Sequence, residues 1–308
     1  MIRHSKSSRS VLFAAACAAM FCLASLPCSA FAQDQDDTSR RFWPPNFRPA
    51  ATKTAPAPKT SRYKRTTPAL PKDDVSSASI RNAVVGITVW RLRPAKDTDD
   101  ARILVKKSDK SWAPERVEAS TKFSEGQTLR LSIEVPRTGY LYVLDREQYA
   151  DGSFSDPYLI FPHDPANDEN KVTAGRVVEI PNQSDEQAYF EVKSLREGGQ
   201  SPQTAEVLTV IVAPAPLKDL PKRAAGDDQP LRLPKATVEM WEKEWTAQVE
   251  QLELEDGAGR AYTRAEKTAG ANPAKRLTQA DPLPQTVFRV AVKPGKPLMV
   301  KLPLGIGQ

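Results

Sequence analysis

The chain has 308 residues, 44 Lys and Arg against 38 Asp and Glu, two His and three Cys, for a formal net charge of +6. That length allows one or two ordinary domains, and an apolar fraction of 40% excludes disorder throughout. Proline (27) nearly doubles glycine (14), so part of the chain is expected to be extended rather than packed.

Residues 1–32 read as a secretory signal peptide. Arg3, Lys6 and Arg9 form a positive start without acids, and Val11 to Leu26 is apolar. Ala30-Phe31-Ala32 is a small-x-small cleavage site, which places the cut between Ala32 and Gln33. The apolar run falls short of the ~20 residues that cross a bilayer, and no later stretch is long and apolar enough. Cys17, Cys22 and Cys28 all lie inside this leader. Pro27 stands where a small residue precedes a lipidated cysteine, which argues against a lipid anchor on Cys28. The mature chain is then free of thiols, which excludes disulfides, cysteine–zinc sites and a cysteine nucleophile.

Residues 33–80 carry seven prolines, and their hydrophobic residues Phe42, Trp43, Phe47 and Tyr63 are too sparse to form a core. This predicts a disordered, polyproline-biased linker. Nine basic residues against five acids make it +4, with no acid between 40 and 72. Arg62, Lys64 and Arg65 are its candidate interaction residues, suited by Coulomb attraction to anionic headgroups or surface polymers; the bland alternative is a solubilising spacer. The leader holds three more basic residues, so residues 81–308 retain 32 basic and 33 acidic side chains, net −1. An exported protein with a neutral folded part is a poor nucleic-acid binder.

From 81 to 220 the period changes to two. Val85-x-Ile87-x-Val89 alternates, and Ile103 to Val105 is a second short run. Leu129-x-Leu131-x-Ile133-x-Val135 alternates up to Pro136. Tyr140 to Leu144, Tyr158 to Phe161, Val177 to Ile180, Tyr189 to Val192 and Val207 to Val212 follow. Asp151-Gly152 is a turn pair, and prolines at 136, 162, 181 and 214 punctuate strand ends, where a missing N–H is harmless. Eight or nine strands without an intervening helix predict a mainly β domain, an antiparallel β-sandwich or partly open barrel.

The same residues carry a resemblance. Phe123-Ser-Glu-Gly126, Gly139-Tyr-Leu-Tyr-Val143, Asp151-Gly152, Leu159-Ile-Phe-Pro162, Gly175 before Ile180-Pro181, and Glu206-Val-Leu-Thr-Val-Ile211 occur in an order that resembles the bacterial domain of unknown function numbered 4384, over about residues 118–217. The resemblance implies an extracytoplasmic β-rich module, often appended to other domains, with no established activity. It favours the periplasm over release outside the cell.

Residues 221–308 read as a C-terminal extension that packs on the β domain. Val238, Trp241, Trp245 and Val249 recur at spacings of three and four, which predicts a helix from Lys235 to about Gln248 with Pro234 at its start. Its tryptophans are expected as anchors against the sheet rather than a carbohydrate-stacking pair. Leu252-x-Leu254 reads as a strand and Thr263 to Ala269 as a short helix. Val287 to Val292 and Leu298 to Leu304 flank Lys293-Pro-Gly-Lys-Pro297, which predicts a β-hairpin that extends the main sheet or covers its edge.

Chemistry is sparse. His163 is the one histidine outside the leader, and no G-x-S-x-G elbow, P-loop or dinucleotide fingerprint occurs. Two acidic loops remain, one with Asp145, Glu147, Asp151 and Asp156, the other with Asp164, Asp168 and Glu169. Asp145, Asp151 and Asp156 are calcium candidates, although the spacing is not that of an EF-hand and solvated turns account for the pattern. No cofactor is expected. The reading is an exported, non-enzymatic protein of the cell envelope, an accessory or scaffold module for a protein or polymer partner. Its rival is a carboxylate-dependent hydrolase of envelope glycans built on Asp145, Glu147 and Asp151.

Overall fold

The computed structural model describes residues 62–68, 81–104, 111–165, 169–185, 187–193, 201–218, 220–223, 230–245 and 247–307. The expected leader, its cleavage pair Ala32 and Gln33, the linker up to residue 61, and Asp168 lie outside them. The described residues belong to one unit, Asp37–Gln308. Their strands in chain order are β1 (Tyr63–Arg65), β2 (Arg81–Pro94), β3 (Ile103–Leu104), β4 (Ser111–Val117), β5 (Thr128–Glu134), β6 (Gly139–Tyr149), β7 (Tyr158–Phe161) and β8 (Lys171–Val172). These are followed by β9 (Val177–Ile180), β10 (Phe190–Glu191), β11 (Gln203–Ala213), β12 (Leu231–Arg232), helix α1 (Lys235–Glu244), β13 (Val249–Leu254), helix α2 (Arg264–Ala271), β14 (Thr286–Val292) and β15 (Leu298–Gly305).

These strands form two antiparallel sheets, a nine-stranded one and a six-stranded one. They face each other as a sandwich, not as a closed barrel. The long β2 organises the larger sheet: its first half pairs with β14 and its second with β4, while β5 runs along its other edge. Outward from β14 come β13 and then β1; outward from β5 come β9 and β10. In the smaller sheet β6 lies between β11 and β7, and β15 pairs with the far side of β11.

Period-two alternation decides what is buried. Val85, Ile87, Val89, Leu131, Ile133, Phe288 and Val290 of the larger sheet share one core with Leu141, Val143, Leu208, Val210, Val300 and Leu302 of the smaller. The outer face of the smaller sheet is covered too. Tyr142, Leu144, Leu159, Ile211 and Met299 pack against Val238 and Trp241 of α1. Trp241 is buried and stacks on the half-buried Trp245, centroids 5.3 Å apart. Glu242 pins the helix to β6 and β15 through Arg146 and Lys301. The helix stops at Glu244, one turn short of the expected Gln248, because the chain must extend into β13.

Three further expectations change. Residues 63–65, inside the expected linker, form a strand. Ser111–Val117 is a strand although Pro114 interrupts it; Pro114 sits opposite Leu92 of β2, and its carbonyl accepts from the Tyr262 N–H. The C-terminal hairpin does not form. The Pro294-Gly295 turn is present, with Lys296 N–H donating to Lys293 O at 3.1 Å and Gly295 at φ 73°. However, β14 pairs with β13 and β2, and β15 pairs with β11. The turn carries the chain from one sheet to the other. Phe288, Val290 and Val292 then face Leu298, Val300 and Leu302 across the core, about 10 Å away, rather than lying beside them at about 4.8 Å. Among the described residues no helix is long and apolar enough to cross a membrane.

Candidate functional site

The acidic candidates separate by strand phase. Asp145 and Glu147 continue the inward phase of Leu141 and Val143 on β6, and Glu206 does the same on β11, directly opposite Glu147. Tyr149 Oη donates to Glu147 at 2.6 Å, and Gln203 Nε2 donates to Glu206 at 2.7 Å. Asp145 Oδ1 and Glu206 Oε2 are buried and find no donor among the described residues, and each carboxyl acts on the ionisation of the other. Burial first, and then the Asp145 charge, push the Glu206 carboxyl up to about 9. Burial also raises Asp145, to about 6, with Glu147 adding to the rise. Burial and then the hydrogen bond to Glu147 hold the Tyr149 phenol above its ordinary range.

The remaining calcium candidates are spent elsewhere. Asp151 is exposed at the turn and accepts from Ser153 N and Oγ and from Ser201 Oγ, which lowers its carboxyl. Asp156 pairs with Arg232 of β12. Among the described residues no group of three or more His, Cys, Asp or Glu side chains is arranged to hold a metal ion. His163 offers its backbone carbonyl to Arg223, at 2.8 Å from Nη2.

The basic candidates Arg62, Lys64 and Arg65 come to one sheet edge. β1 runs antiparallel to β13, pairing Tyr63 with Leu254, Lys64 with Glu253 and Arg65 with Leu252. The pairing continues at both ends. Glu255 N–H donates to Arg62 O at 2.8 Å, Thr66 N–H to Gln251 O at 3.0 Å, and Gln251 N–H to Thr67 Oγ1 at 2.5 Å. Arg65 Nε lies 2.5 Å from Glu250 Oε1, and Tyr63 Oη donates to Pro284 O at 2.8 Å. An extended basic segment is thus laid along an edge carrying Glu250, Glu253 and Glu255.

Sequence reasoning missed the outer face of the larger sheet. There Arg130 pairs with Glu179 at 3.0 Å, both almost inaccessible, and Glu179 also accepts from Tyr262 Oη and from Gln183 Nε2. Beside it Arg116 pairs with Glu266 of α2 and lies over the Trp90 ring, 5.2 Å from its centroid. Trp90 donates to Ser132 Oγ at 2.8 Å. A cavity of about 30 Å³ opens between these groups and the segment Leu277–Pro284, room for water rather than for a substrate. The one sequence signal was phase: Arg130, Ser132 and Glu134 alternate with Leu129, Leu131 and Ile133, the pattern of an exposed polar face. Nothing local shows that α2 covers it.

No curated protein and no solved structure matches the chain. Residues 122–213, from the residue before Phe123 to the end of β11, match the model of the family described as a domain of unknown function, DUF4384, and this stretch of the chain is similar to that domain.

Proposed function

We propose that the protein is an exported, non-enzymatic module of the cell envelope that binds a protein or an anionic surface polymer. Export rests on the signal peptide read up to Ala32 and Gln33, and the periplasm on the family resemblance. One observation supports binding most directly: the basic segment at Arg62, Lys64 and Arg65 is joined to the sheet edge, with all three cations exposed. The module therefore holds Arg62 and Lys64, with Arg65 paired to Glu250, on a defined strand rather than on a free spacer. Asp145 and Glu147, the residues a glycan hydrolase would use, are engaged in hydrogen bonds along β6 and β11, which favours binding over hydrolysis.

The test is capture from an envelope fraction with the exported chain, a variant lacking residues 33–61, and a triple variant Arg62→Ser, Lys64→Ser, Arg65→Ser. We expect the first two to retain the same partner and the triple variant to lose most of it. Equal capture by all three moves recognition off the basic strand. Turnover of envelope glycans by the chain, abolished in Glu147→Gln, would replace this reading with the hydrolase.

A further inference from the structure

We infer that the β13 edge accepts residues 62–67 from a second copy of this chain, so that two molecules exchange this strand reciprocally. The inference goes beyond the envelope role and stands without it. The edge is built for this segment: register pairs from Tyr63 to Arg65, backbone and hydroxyl hydrogen bonds from Arg62 to Thr67, and the Arg65–Glu250 pair fix one strand in one direction. The donor carries three cations; at the acceptor Glu250 takes Arg65 and Glu255 stands at the strand end, while the Glu253 carboxyl turns to Thr286 and Gln285.

What holds the segment is also what lets it leave. Only Tyr63 and Thr67 are half-buried; Arg62, Lys64, Arg65 and Thr66 are exposed. Little apolar surface is committed, so the strand rests on hydrogen bonds, which open locally at low cost, and on one half-buried ion pair in which Arg65 is exposed and Glu250 is buried; when Arg65 leaves, Glu250 keeps Arg289 as its partner.

The length of chain behind the strand decides who can receive it. In the sheet β1 is separated from β2 by β13 and β14, three spacings or about 14 Å, and Arg65 stands level with Gly86, about 17 Å along the strand from Arg81, so the direct route is about 22 Å. Residues 66–80, which join them, reach about 50 Å when extended. The connection is about twice as long as the route to its own sheet requires, so it does not dictate which copy of β13 is reached. Slack of this kind also dilutes the advantage of the intramolecular partner. Each copy holds one donor and one acceptor, so reciprocal exchange closes into a two-fold dimer and leaves no β13 edge bare.

The experiment uses the full chain purified after export, its mass read by light scattering across concentrations up to about 1 mM, the scale of a flexible tether's effective concentration. We expect a concentration-dependent dimer that an excess of a synthetic peptide of residues 60–69 returns to monomer. The charge-swap pair gives the sharper readout. Arg65→Glu and Glu250→Arg each place like charges together within one chain, while a mixture matches both pairs between chains. The mixture should dimerise at a concentration at least about tenfold lower than either variant alone. Because Glu250 also meets Arg289 at 3.4 Å, circular dichroism must show that each variant is folded; where one is not, the peptide experiment decides. A chain that stays monomeric to about 1 mM, or a dimer that ignores the peptide, overturns the inference. So does peptide-sensitive capture of an unrelated protein with no self-association, which would assign the edge to another partner.

Discussion

Two neighbouring buried carboxyls resist being ionised together, and that fixes how Asp145 and Glu206 respond to pH. Both are raised in the fold above their ordinary values near 4. A group raised on folding stabilises the native state fully below its unfolded value, and that contribution is lost as pH rises through the folded one. Stability should therefore fall between about pH 5 and pH 9. The fall is read as a Tm that declines steadily over this range. Glu206→Gln keeps a hydrogen-bond donor beside Asp145 and removes the acid. It should flatten the Tm profile over this range; an unchanged slope would show that the pair is not its source. Asp99 works in the opposite sense, held down to about 2 first by its hydrogen bond from Arg93, so its contribution disappears only as pH falls below about 4. Asp145 was legible as a candidate because it sits among acids in sequence. Glu206 was not, since it is separated from Asp145 by sixty residues and only the β6–β11 register brings them together.

At the scale of elements, α2 shows local and tertiary preferences in conflict. An eight-residue helix is marginal alone. It is started by a capping box in which Thr263 and Glu266 exchange hydrogen bonds, and it is held down by Glu266 on Arg116. At its far end Gly270 costs about 1 kcal/mol in helix propensity relative to Ala. A Cβ there would lie 2.0 Å from Glu179 Cδ, so the buried Arg130–Glu179 pair would have to separate. Breaking a buried pair costs about 3–5 kcal/mol, which outweighs the propensity gain. Gly270→Ala should thus destabilise by about 2–4 kcal/mol, read as a lower urea midpoint; a stabilised variant would mean that Glu179 moves aside freely. The sequence showed a short helix over Thr263 to Ala269 but not the reason for Gly270. The same limit explains the missing hairpin. A strand–turn–strand pattern with inward Val and Leu on both arms is identical whether the arms share a sheet or face each other across a core. β15 shows a further device: Phe123 covers one end of its outer edge, and Pro303 and Lys301 blunt the rest.

For the whole molecule, the matched stretch and the sandwich do not have the same limits. Residues 122–213 contain β5 to β11. β11 pairs with β6, and β5 with β9 and β10, inside it, but each also has a neighbour outside: β5 pairs with β2, and β11 pairs with β15. The core likewise draws Val85, Ile87 and Val89 from before the match, and Phe288, Val290, Val300 and Leu302 from after it. Residues 118–217 alone should be insoluble or lack a cooperative melt, whereas residues 60–308 should fold; a cooperatively melting monomer of the shorter piece would refute this. The period-two pattern made the fold class readable. At 220 composition shifts to charged and proline-bearing residues while the sheets remain unfinished: β13 and β14 join the larger one and β15 the smaller. Periodicity shows that a strand is buried, but not on which sheet its partner waits.

That β2 is flanked by β14 has a consequence in time. Ile87 lies opposite Thr286, with almost two hundred residues between them, and β11 must wait for β15. At about 5–20 residues per second of synthesis, the central strand stands without one of its neighbours for about 10–40 s. Contacts this distant also make the closing step slow. The nascent chain cannot complete its core before nearly all of it has been made.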